Sequence, residues 1–90
     1  MTTAAEHDPM ELLWQRRSRQ VFALLREAGI SEREERLNLF RWIVSDQTVS
    51  STNDLNVHDL KGIAQTLAYW KAKGELVQRA HEHIKPEFQR

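Results

Sequence analysis

Ser45–Gly74 reads SDQTVSSTNDLNVHDLKGIAQTLAYWKAKG, a polar, turn-rich run that passes into one amphipathic helix. From Asp46 to Asn56 the run is dominated by Ser, Thr, Asn and Asp. Their short side chains bond nearby backbone and favour turns and caps over helix interior. Ser51 and Asp54 stand at cap spacing, which predicts a short turn over Ser51–Leu55, with Val49 and Leu55 as apolar pins. Asn56 and Asp59 repeat that spacing where a helix begins. Val57, Leu60, Ile63, Ala64, Leu67 and Trp70 follow at three- to four-residue intervals, the period of one helix face. Gly74 supplies the stop.

Outward from this stretch the same signals recur. Asp8-Pro9-Met10-Glu11 reads as a helix start, with Asp8 as cap, Pro9 at the first helical position and Glu11 completing a capping-box-like pair. Helix one is expected to run to about Ala28, with Gly29 just past its end. Its apolar face is Met10, Leu13, Trp14, Val21, Leu24, Leu25 and Ala28. Ser31-Glu32-Arg33-Glu34 reads as a second capping box stapled by Ile30, opening a helix from about Glu32 to Val44. There Leu37, Phe40, Ile43 and Val44 share a side, and Leu39 and Trp42 broaden it, so this helix is expected to be the most buried. A short fourth helix, about Glu75 to Ile84, presents Leu76, Val77, Ala80 and Ile84 and stops before Pro86. No segment alternates with period two. The expected fold is therefore all-α: a compact three-helix domain plus a short C-terminal fourth helix, with an ordered loop between helices two and three. The domain should span residues 8–86, flanked by tails at 1–7 and 87–90.

Bulk composition narrows the function classes. Ninety residues with 40% hydrophobic side chains suffice for one small core. The chain has no cysteine, which removes disulfides, thiolate metal sites and cysteine nucleophiles and suits a reducing cytoplasm. No apolar run approaches the roughly 20 residues of a membrane span, and MTTAAEHDP has neither the basic nor the apolar region of a secretion leader. The expected location is therefore the cytoplasm, without a membrane partner. Thirteen basic and thirteen acidic residues leave zero net charge, which argues against a global basic field but leaves local stripes open. Residues 10–45 carry seven Arg against five Glu.

Few residues suggest chemistry. His81 and His83 lie two apart, about 200° around a helix, so they cannot share a metal without unwinding it. Asp46, Asp54 and Asp59 lack calcium-loop spacing. Ser50, Ser51, His58 and Asp59 offer triad residue types but no nucleophile elbow. Neither a catalytic site nor a cofactor or metal is expected. Two binding surfaces are. Arg16, Arg19 and Arg26 fall on one side of helix one, opposite its apolar face, at a spacing able to track phosphates, while Arg17 falls nearer the apolar face and must snorkel. A solvated face paired with Glu and a protein contact are the other readings of that stripe. On helix three, His58, Gly62, Gln65, Tyr69 and Lys73 line up opposite the apolar stripe, with Lys61 beside them. Gly62 costs roughly 1 kcal/mol relative to Ala in a helix interior, and close approach of another backbone, in the fold or from a partner, is one reason to keep it. Trp42, at the edge of its helix's apolar arc, reads as core packing or as a partner anchor.

Leu24-Leu25-Arg26-Glu27-Ala28-Gly29-Ile30, Arg33-Glu34-Glu35-Arg36-Leu37, Val44, Val49-Ser50-Ser51, Asp54-Leu55-Asn56 and a last helix with Ile63, Leu67 and Lys73-Gly74 follow in an order that resembles a small helical module of tailed phages, actinobacteriophages among them. A looser likeness is to the Mu-like phage regulatory protein family. Leu55-Asn56-Val57-His58-Asp59-Leu60-Lys61, followed by Leu67 and Lys73-Gly74, resembles the SAP-type DNA-binding motif. These resemblances imply a non-enzymatic accessory role in recombination, replication or transcription, with DNA or a host or phage protein of DNA metabolism as partner. A protein-interaction module that modulates a host protein, and a homodimer, are the alternatives that zero net charge leaves open.

Overall fold

Glycine ends two helices in the same way. In a computed structural model, which describes residues 9–84, α1 spans Pro9–Ala28, α2 Arg33–Val44, a 3-10 turn Thr52–Asp54, α3 Val57–Ala72 and α4 Leu76–Glu82. Gly29 adopts φ +78°; its amide donates to the Arg26 carbonyl, and the Ile30 amide donates to the Leu25 carbonyl. Gly74 repeats the pattern at φ +72°, with its own amide on Lys71 and the Glu75 amide on Trp70. Both are Schellman stops, which use glycine because a Cβ is unfavourable at positive φ. Among the described residues there is no strand, and the fold is all-α as its periodicity predicts.

The polar caps of the Ser45–Gly74 stretch form as their spacing predicts. The Ser51 hydroxyl accepts from the Asn53 amide, and the Asp54 carboxylate accepts from the Ser51 amide. Asn56 accepts from the Asp59 amide at 2.8 Å, and Asp59 accepts from the Asn56 amide at 3.1 Å. Between α2 and the 3-10 turn, two arginines tie the loop down. Arg41 Nε donates to the Val49 carbonyl at 2.6 Å, and Arg33 donates to the Ser50 carbonyl at 2.8 Å. Val49 and Leu55 are buried, which makes them the pins that the sequence suggests.

α3 packs against each of the other three helices. It buries Val57, Leu60, Ile63, Ala64, Leu67 and Trp70, against Leu37, Leu39 and Phe40 from α2. The expectation that helix two is the most buried is thus corrected: the central element is α3, which packs on α1, α2 and α4 and buries six side chains where α2 buries three. Each fully buried Leu or Ile here contributes about 1.5–3 kcal/mol relative to exposure. α1 and α3 run parallel, side by side. At one end Trp14 Nε1 donates to the Leu55 carbonyl at 2.7 Å, and at the other Lys71 pairs with Glu27 at 2.8 Å.

Other expectations also need correction. The Ser31 capping box does not form: α2 starts at Arg33, Glu32 occupies the cap position, and no side chain caps it. Burial of Ile30 and the Gly29 stop fix the chain's path into α2, and the Ser31 carbonyl accepts from Arg36 instead. Met10 and Val77, assigned to apolar faces, are 51% and 56% exposed. Both stand near the starts of their helices, where burial is incomplete. α4 ends at Glu82 rather than Ile84; the Ile84 carbonyl instead accepts from Asn38 at 2.8 Å. The expected cap at Asp8, the stop at Pro86 and both tails lie outside the described residues.

Candidate nucleic-acid interface

Parallel packing of α1 on α3 leaves a groove of about 470 Å³ along their shared edge. Leu13, Arg16, Arg17 and Gln20 line it from α1, and Lys61, Ala64, Gln65 and Ala68 from α3. Three of the eight lining residues are cationic and none is acidic. Among the described residues Arg16, Arg17, Arg19 and Lys61 make no ion pair. Three cations without ion pairs thus share one groove, a local concentration of positive charge that zero net charge does not preclude.

The sequence-predicted cations divide between places. Arg16 and Lys61 meet across this groove. Arg26 lines a separate groove of about 330 Å³ with Phe22, Ser31 and Arg36, so the stripe of Arg16, Arg19 and Arg26 does not form one track. Arg19 is exposed and lines neither groove. Lys73 lies over the Tyr69 ring, its Nζ 5.5 Å from the centroid, within cation–π range. Arg17, treated in the sequence as a snorkelling residue, is a groove residue, as is Gln20. Their signal was present: both lie within one or two turns of Leu13, on the side that turns toward α3.

Of the second predicted surface, His58, Gln65 and Tyr69 are exposed and Gly62 is half-buried. Tyr69, in the last turn of α3, is 61% exposed, whereas Trp70 beside it is buried. A Cβ built on Gly62 would meet nothing within 4 Å. Close approach within the fold is therefore not the reason for this glycine, and its helix cost of roughly 1 kcal/mol is not offset by internal packing. Trp42 is 38% exposed and stacks on His83, ring centroids 3.6 Å apart, with Trp70 at 6.2 Å. It lies on a different part of the molecule from the α1–α3 groove and belongs to an aromatic cluster closing α2 onto the end of α4. His81 Nε2 lies 2.9 Å from the Ala28 carbonyl and so ties α4 to the end of α1.

Sequence reasoning missed one further feature. Met10, Trp14 and Val57 line an apolar groove of about 440 Å³ with His58 at its edge. It lies one to two turns before the cationic groove along the same helix pair.

Two loop carboxylates are held below their ordinary pKa. The Thr48 hydroxyl and amide stabilise the charged form of Asp46, and the Ser50 amide and hydroxyl do the same for Asp54, helped by the Ser51 amide. Both serve the loop rather than the groove. Among the described residues no helix is long and apolar enough to cross a membrane. No family model matches the chain, and neither a curated protein nor a solved structure shows significant similarity to it.

Proposed function

We propose that this protein is a non-enzymatic accessory protein of phage nucleic-acid transactions, binding the phosphate backbone through the α1–α3 groove. The observation that carries the reading is the meeting of Arg16, Arg17 and Lys61 in one groove with no acidic lining residue and no ion pair. Guanidinium and ammonium groups held this way donate to phosphate oxygens and release condensed counterions. The resemblance of Leu24–Leu76 to small phage modules supplies the setting, whether recombination, replication or transcription.

Anisotropy of a fluorescently labelled oligonucleotide tests it. Three phosphate contacts predict a slope of log K against log salt of roughly −2 to −3. Joint substitution of Arg16→Ala and Lys61→Ala should weaken binding and flatten that slope by about 1.5, with the helical circular dichroism unchanged. Unaltered binding by the folded double variant would sink the proposal.

One observation favours a second reading, a module that binds and modulates a host protein without nucleic acid: the apolar groove of Met10, Trp14 and Val57, beside the half-exposed Met10. Capture of a host protein from lysate that survives nuclease treatment and high salt would select it over the first.

A further inference from the structure

We infer that the nucleic acid taken by this groove is single-stranded, with Tyr69 as the base-stacking residue and Gly62 as the point where the strand comes closest to α3. The inference rests on the groove reading above and specifies its ligand. Gln65 belongs to the groove lining, and Tyr69 stands one turn further along α3 on the adjoining exposed face, so a phosphate chain in the groove places its bases beside the Tyr69 ring. An exposed aromatic next to a cationic track is the arrangement that holds single strands, since every base offers a π-face. Lys73 Nζ lies over the Tyr69 ring, 5.5 Å from its centroid, and sets positive charge beside the stacking residue.

Two observations favour a single strand over a duplex. First, α1 lies flush against α3 along the groove, anchored at Leu55 and at Lys71. Two helices abreast, each about 10–12 Å across, are wider than the roughly 12 Å major groove that admits one helix. Second, the first turn of α3, where a recognition helix would meet base edges, holds Asp59 in its cap and follows the Asp54 turn. Those carboxylates repel a phosphate backbone there. Gly62 lies between His58 and Tyr69 on the exposed face, and nothing in the fold occupies its Cβ position. A glycine there opens the helix backbone to a ligand.

The test compares labelled oligothymidylate with a blunt duplex of equal length, using the full chain at low salt, and adds two variants. Oligothymidylate should bind at least tenfold more tightly than duplex. Tyr69→Ala should weaken oligothymidylate binding by about tenfold or more while leaving the salt slope intact. Gly62→Ala should raise Tm by roughly 4–8 °C and yet weaken binding, a combination that a purely structural role cannot give. Equal or tighter duplex binding overturns the single-strand inference and leaves the groove reading standing. Tyr69→Ala with unchanged affinity overturns the stacking role, and Gly62→Ala with unchanged affinity overturns the close approach. Failure of both nucleic acids to bind removes the groove reading itself.

Discussion

Replacing Trp14 with Phe probes the joint that sets α1 parallel to α3. The indole Nε1 donates to the Leu55 carbonyl at 2.7 Å, across 41 residues of sequence, and Leu55 is buried. Phe keeps an aromatic body but removes the donor. The lost hydrogen bond is worth about 1 kcal/mol net, and the carbonyl left without it adds about 1 kcal/mol, the low end of the usual range because the site is only part-buried. The expected loss is therefore about 2 kcal/mol. In a domain of this size that corresponds to a fall in Tm of roughly 8–16 °C, a large share of the stability expected for 90 residues. Urea denaturation followed by circular dichroism at 222 nm gives the value directly, with the slope unchanged if the native state stays compact. Leu12→Ala is the control, because Leu12 is exposed on the same helix and should shift stability by less than about 0.5 kcal/mol. A Trp14→Phe loss no larger than that control would refute the bond's role in fixing the α1–α3 pair, and with it the geometry of the cationic groove.

Three other expectations concern the loop and the stops. Asp46 and Asp54 have folded-state pKa values below the ordinary carboxylate value, so their contribution is complete above the unfolded-state pKa of about 4 and is lost as pH falls through the folded values. The urea midpoint should stay level from pH 7 to 5 as far as these groups are concerned, then drop below about pH 4, and Asp54→Asn should shrink that drop; an acid limb identical to the parent's would contradict it. Gly29→Ala forces an L side chain to φ +78° and should cost about 1 kcal/mol or more, read as a lower urea midpoint; an unchanged midpoint would show that the Schellman stop tolerates a Cβ. Arg41→Met keeps the stem but loses the donors to Val49 and Asn38, so destabilisation by about 1.5–3 kcal/mol and faster amide exchange over the loop before the 3-10 turn are expected, and native-like exchange there would argue that Val49 burial alone orders the loop.

What could be read from the chain followed from how local each cause is. Caps and glycine stops act over five residues, so Ser51, Asn56, Gly29 and Gly74 could be placed from spacing alone. The core positions of α3 could be placed because a helix touched on several sides carries a complete periodic stripe. Ser31 failed because two signals competed: its cap spacing was good, but the buried Ile30 had already fixed the chain's path. Met10 and Val77 failed because periodicity names a face without saying whether a neighbour reaches far enough to cover it. The site was less legible for the same reason. Helix-wheel reasoning grouped Arg16, Arg19 and Arg26 by their own helix, whereas grooves form between helices. Pairing Arg16 and Arg17 with Lys61 required the parallel register of α1 and α3, which Trp14–Leu55 and Glu27–Lys71 set across long sequence separations.

Zero net charge is the strongest sequence argument against a nucleic-acid ligand, and the placement of the acids weakens it. Asp46, Asp54 and Asp59 accept hydrogen bonds from turn and cap amides. Glu27 pairs with Lys71, Glu34 with Arg33, and Glu75 and Glu82 both with Arg79. These carboxylates serve turns, caps and ion pairs, and none of them lines the groove. Solvent-exposed charges further apart than the Debye length, about 8 Å at physiological salt, scarcely feel one another. Neutrality summed over the chain therefore does not neutralise Arg16, Arg17 and Lys61. Binding should therefore strengthen as salt falls, although the protein as a whole carries no net charge, because the slope counts the phosphates neutralised rather than the total charge. A protein whose affinity followed its overall charge would show no such slope.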